Sequence, residues 1–157
     1  MGKMIKLFFF SMLILLFLNG CNSSNTKEDI FQSEGSYVGD NSAVGNIAHQ
    51  LPGGEHLEGF ELKTKEKPYG IILNYNWIEA EKKYKETVIY NATFLFTLVQ
   101  NADWITFNFD NQRYKVTKED LQNWYGKRLS EYTSEEELRK LTQKYIEDEN
   151  KVNELFK

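Results

Sequence analysis

The sequence predicts an α+β domain of two layers, a four-stranded antiparallel sheet made of two hairpins with helices over one face. Three observations carry this. Two pairs of short runs alternate apolar and polar residues, each pair parted by a tight turn, which is the mark of half-buried hairpin strands. Segments with apolar residues three and four apart separate and follow them, which is the mark of amphipathic helices. Aromatic residues make up 15% of the 157 residues, with 11 Phe, 9 Tyr and 3 Trp, enough large apolar surface for a packed core. At this length a single domain is expected.

Residues 1–20 read as a secretory signal. Lys3 and Lys6 give a positive start, and Leu7 to Leu18 is apolar apart from Ser11. A run of 12 residues is too short to span a bilayer, which needs roughly 20, and suits the core of a signal peptide. Leu18-Asn19-Gly20-Cys21 closes it. This stretch resembles a bacterial lipobox, with Asn19 departing from the usual small or apolar residue. The resemblance implies cleavage before Cys21 and a thioether-linked diacylglycerol on its sulfur, with acyl chains such as palmitate. Two chains give stable anchoring where one does not, at about 0.8 kcal/mol per buried CH₂. The chain would then sit on the extracytoplasmic face of the cell membrane. A lone cysteine cannot form an internal disulfide, so the domain rests on its core.

Residues 21–36 read as a flexible tether, polar except for Ile30 and Phe31. Its 15 residues after Cys21 reach at most about 50 Å and typically about 20 Å as a coil. The domain is expected over 37–157. Asp40, Asn41 and Ser42 are good helix caps, and Val44, Ile47, Ala48 and Leu51 then share a helical face that Pro52-Gly53-Gly54 ends. Strands are expected at Phe60–Lys65 and Gly70–Trp77, joined by a turn at Lys67-Pro68. In the second, Ile71, Leu73, Tyr75 and Trp77 share a face. Residues 78–100 read as a helix, charged at first and apolar over Val88–Val99, with Asn101 as its cap. Ile105, Phe107 and Phe109 share one face of the next strand. Asp110-Asn111 turns the chain into a partner strand holding Tyr114 and Val116. Thr117 and Ser134 each start a helix in the manner of a capping box. Gly126 stops the first. Leu138, Leu141, Tyr145, Val152 and Leu155 line the second, broken at Asp148.

Charge narrows the function classes. The whole chain carries 19 basic and 23 acidic residues, a formal charge of −4. Without Lys3 and Lys6, 17 basic groups face the same 23 acidic ones, for −6. Such a chain repels phosphate backbones and has no basic cluster in its sequence, so nucleic acid is not expected as a partner. No cofactor motif is present: no Gly-rich phosphate loop, calcium loop or Gly-x-Ser-x-Gly elbow. Lipidation of Cys21 removes the only thiol nucleophile. His49 and His56, with Glu55 and Glu58 nearby, have the chemistry of zinc ligands but not the spacing of a metal motif. The acidic runs Glu135-Glu136-Glu137 and Glu147-Asp148-Glu149 fit helix starts and solvated helix faces.

The binding candidates are aromatic. Tyr69, Trp77 and Trp104 fall near strand ends or on the outer sheet face, and Trp124 near a helix end; Trp and Tyr are common anchors of binding surfaces. The competing reading is packing at the core or its rim. Trp104 with Ile72 would make an apolar patch on the outer face.

Five stretches are similar to an uncharacterised family of Gram-positive lipoproteins, domain of unknown function 4825. They are Tyr37-Val38-Gly39-Asp40-Asn41-Ser42-Ala43-Val44-Gly45, Leu51-Pro52, Lys67-Pro68-Tyr69-Gly70, Leu95-Phe96-Thr97-Leu98-Val99-Gln100-Asn101-Ala102-Asp103 and Trp124-Tyr125-Gly126. Related domains are attached to membrane-bound sensor peptidases, so the resemblance implies an extracytoplasmic sensing or interaction role and no catalytic residues. The resulting expectation is a non-enzymatic, membrane-anchored module with a protein or peptide partner at the cell surface. The alternatives are a metal-assisted hydrolase using the His49/His56 region and a purely structural lipoprotein.

Overall fold

The computed structural model describes residues 29–157. The signal segment, the Leu18–Cys21 stretch and the first part of the tether lie outside the described residues. Among the described residues, five α-helices and four strands make an α+β domain. In chain order they are α1 (Asn41–Gln50), β1 (Leu57–Lys63), β2 (Gly70–Tyr75), α2 (Glu81–Leu98), β3 (Trp104–Asn108), β4 (Arg113–Thr117), α3 (Lys118–Tyr125), α4 (Glu135–Ile146) and α5 (Glu149–Leu155). Single 3₁₀ turns occupy Ile30–Ser33, Gly54–His56 and Leu129–Glu131.

The sheet is mixed, which corrects the expectation of an antiparallel one. Its order is β1-β2-β3-β4. The outer pairs are antiparallel, but β2 and β3 run parallel, with Gly70 opposite Trp104 and Asn74 opposite Asn108. The cause lies in the connection. A tight turn reverses a chain, whereas a helical crossover returns it to the starting end of the sheet. Helix α2 is that crossover: its 18 residues extend about 27 Å, more than the roughly 20 Å of β2, so β3 begins where β2 began.

Alternation along the strands separates two faces. Ile71, Leu73, Ile105 and Phe107 are fully buried, and Phe60 and Leu62 pack beside them. The register puts Glu61, Lys63, Arg113 and Lys115 on the opposite face, and all four are exposed. Helix α2 is buried on most of its surface from Tyr84 to Leu98, as its apolar second half requires.

Several ends differ from expectation for local reasons. Residues 30–36, expected in the tether, are packed on the domain. Ile30 is 4% exposed, and the Ser36 backbone pairs with Val99. Asn101 does not cap α2, which ends at Leu98 with Val99 as its cap; the Asn101 Oδ1 accepts the Val38 N–H at 2.7 Å and ties the entering chain to the helix end. The expected C-terminal helix divides into α4 and α5, because the Asp148 carboxylate accepts the N–H groups of Asn150 and Lys151 and starts a new helix. Asp40, Thr117 and Ser134 cap α1, α3 and α4 as their sequences predict, and Gly126 ends α3 in the left-handed conformation at φ 65°.

Candidate groove at the Trp104 end of the sheet

The parallel register of β2 and β3 sets Gly70 beside Trp104. The indole ring lies directly over the glycine: a Cβ there would sit 2.1 Å from a ring atom. Any other residue at position 70 would lift the ring off the sheet. The ring edge is fixed too, because Nε1–H donates to the Pro68 carbonyl at 3.0 Å. Lys115, on neighbouring β4, places its Nζ 4.7 Å from the ring centroid, within cation–π range. Trp104 is thus held by a glycine, a carbonyl and a lysine, while its ring stays half-buried.

Tyr69 joins the same end of the sheet through backbone bonds. Its N–H donates to Asp103 Oδ2 at 2.7 Å, and its carbonyl accepts the N–H groups of Asp103 and Trp104 at 2.9 and 3.3 Å. The Lys67 ammonium lies 5.8 Å from the Tyr69 ring centroid. Lys118, the first residue of α3, sends its Nζ to the Gln100 carbonyl at 3.1 Å. Burial pushes its ammonium below the ordinary lysine range, opposed by the Asp103 carboxylate. The Tyr69 ring packs against the core, while a groove of about 690 Å³ opens here, with walls that include Lys67, Pro68, Trp104, Lys115, Lys118 and Gln122. Beside it on the same face, Thr106 is fully buried and its hydroxyl has no hydrogen-bond partner. Ile72 pairs with Thr106 and is half-buried, so the outer face does bring Trp104 and Ile72 close together.

Trp77 stands at the other end of the sheet. Its ring stacks on His56 at 5.2 Å and meets Tyr84 and Phe109 edge-on at 6.2 and 6.1 Å. Gly53, at φ 79°, lets it approach so closely that a Cβ would be 3.0 Å from the ring. The Tyr84 hydroxyl donates to the Trp77 carbonyl at 2.9 Å and accepts the Glu79 N–H at 2.7 Å. Trp124 lies against Tyr125 and Tyr145, with its indole N–H on the Lys151 carbonyl at 2.9 Å. Of the three sequence-derived binding candidates, Trp104 lines the groove, Tyr69 shares its end of the sheet through backbone bonds, and Trp77 lies at the other end.

The two histidines have other neighbours. His49 Nδ1 is 3.3 Å from the Gly54 carbonyl, and His56 lies between the Trp77 ring and Glu55, whose carboxylate is 3.7 Å away. Among the described residues no three His, Cys, Asp or Glu side chains are grouped to hold a metal. No described helix is long and apolar enough to cross a membrane.

Sequence reasoning missed Gly70, Lys115 and Lys118 as parts of the groove. Only a known β2–β3 pairing could have exposed the signal, a glycine opposite a tryptophan, where the ring covers the gap left by the missing side chain.

A family model described as "Domain of unknown function (DUF4825)" matches residues 30–119, more than half of the chain. The match takes in Tyr69, Gly70, Trp104, Lys115 and Lys118. No curated protein and no solved structure matches the chain.

Proposed function

The chain belongs to the DUF4825 family, a domain of unknown function, and we propose that it is a membrane-anchored extracytoplasmic lipoprotein, a non-enzymatic interaction or sensing module that binds its ligand in the Trp104 groove. In this reading Cys21 carries the lipid and the tether after it holds the domain at the membrane surface. The helices cover one face of the sheet and leave the face of Trp104 to the ligand. Trp104 belongs to the binding surface, Tyr69 supports it through the backbone, and Trp77 belongs to packing. The observation that carries the reading is the threefold restraint of a half-buried tryptophan, by Gly70, Pro68 and Lys115, at the wall of an open groove. A ring fixed in advance loses little freedom when a ligand covers it.

Two measurements test the two parts. Cells fed a labelled fatty acid should incorporate it into the wild-type chain and not into Cys21→Ala, which should also leave the membrane fraction. Label in the Cys21→Ala chain rejects the anchor. A photocrosslinking amino acid at Gln122, on the groove wall, should form an adduct in intact cells that Trp104→Ala abolishes. An adduct that persists in Trp104→Ala, or none at all, rejects the groove as the interaction site.

A further inference from the structure

Three ammonium groups converge on the Trp104 groove, and none of them forms an ion pair among the described residues. Lys115 lies over the Trp104 ring and Lys67 over the Tyr69 ring. Lys118 donates a single hydrogen bond, to Gln100, which leaves two of its N–H groups unspent in a half-buried position. Of the two carboxylates at the groove, Asp103 already accepts the Tyr69 N–H through one oxygen, and Glu119 is exposed. Three ammonium groups against these two carboxylates leave the groove net positive in a chain whose formal charge is −4.

Resting on the groove as the ligand site, we infer that it takes a small acidic ligand: a carboxylate or phosphate attached to a ring, aromatic or sugar, whose face can stack on an indole. The anion lies between Lys115 and Lys118, where it accepts from Lys118 N–H groups that are not used on Gln100. It draws the Lys115 ammonium off the indole, because a charge-assisted hydrogen bond is stronger than a cation–π contact at a partly exposed site. The ring of the ligand then occupies the vacated face of Trp104. The volume of about 690 Å³ falls within the range of small-molecule pockets. The same ammonium that lies over the Trp104 ring thus becomes the group that recognises the anion.

The test uses the purified full-length chain in detergent and two matched pairs of probes, glucuronate with glucose and indole-3-acetate with indole-3-acetamide. The readout is the ¹H–¹⁵N signal of the Trp104 indole, assigned by its loss in Trp104→Phe. At least one acid should shift that signal at concentrations up to about 10 mM while its neutral partner does not. A response to glucuronate identifies an acidic sugar as the source, and one to indole-3-acetate an aromatic acid. Lys115→Met and Lys118→Met should each weaken the response about tenfold, whereas Lys144→Met, on α4, should leave it unchanged. Equal shifts from acid and neutral partners would overturn the acidic chemistry and leave the groove standing as a binding site. No shift from any probe, with the Gln122 adduct still formed in cells, would overturn this inference alone. No shift and no adduct would overturn both.

Discussion

Trp77 and Trp104 belong to opposite ends of one sheet and differ in what surrounds them. Trp77 is enclosed by rings: His56 stacks on it, and Tyr84 and Phe109 meet it edge-on. Trp104 is enclosed by a glycine, a carbonyl and an ammonium, at the wall of an open groove. Contacts between rings add stability at the cost of access. Contacts that fix a ring by its edge and one face leave the rest available. The same residue type, half-buried at both ends, therefore packs among rings at one end and borders an open groove at the other, and removing each ring should have a different consequence.

The largest expected effect is at the packed end. Trp77→Ala removes a ring shared by three others and should cost about 3 kcal/mol of stability in a denaturant titration. The Trp104 indole signal should stay where it is. A loss below about 1 kcal/mol would mean that the Trp77 ring is not packed as described.

Alkaline pH gives the next contrast. Tyr75 stacks on Phe109 in the packed cluster, and burial pushes its phenol up to about 12, against a smaller opposing effect of the Asn91 hydrogen bond. In the unfolded chain the phenol ionises near 10. Between those values the unfolded state has lost the proton that the folded state keeps. Stability from this group is therefore complete below pH 10 and falls by about 1.4 kcal/mol per pH unit towards 12. Tyr125, also raised by burial, adds to the slope in the same direction. Tyr75→Phe should flatten the slope between pH 10 and 12, as followed by denaturant midpoints. An unchanged slope would assign it elsewhere.

Smaller effects belong to the open end. Gly70→Ala places a methyl where the Trp104 ring lies and should displace the ring, moving its indole signal and removing the Gln122 adduct, with a stability change of about 1 kcal/mol. Trp104→Ala should cost no more than that while abolishing the adduct. A loss comparable to Trp77→Ala would make Trp104 a packing residue and end the distinction.

The sequence makes one of these ends far easier to read than the other. The caps Asp40, Thr117 and Ser134, the helical face of Val44, Ile47 and Ala48, and the alternation of Ile71, Leu73 and Tyr75 are local signals, and the fold follows them. The direction of β3 relative to β2 leaves no trace in alternation, because a strand shows the same pattern in parallel and antiparallel pairs. The junction at Ser36, Val38 and Asn101 joins residues more than 60 positions apart, as in the Val38–Asn101 bond with its separation of 63. The groove was half legible for the same reason. Tyr69 and Trp104 are conspicuous residue types, but Gly70, Lys115 and Lys118 acquire meaning only once the parallel register sets them around the indole. Trp77, equally conspicuous, could not be distinguished from Trp104 without that register.

Collisional quenching of tryptophan fluorescence in the wild-type chain and in Trp104→Phe tests the central claim most directly. The difference between the two isolates Trp104. An open ring in a positive groove should be quenched by iodide well above its response to caesium, with the preference fading as salt screens the lysines. The emission that remains in Trp104→Phe, from the half-buried Trp77 and Trp124, should show less preference for iodide over caesium than Trp104 does. Equal quenching of Trp104 by the two ions, or resistance to both, would contradict a cationic groove built around an accessible tryptophan.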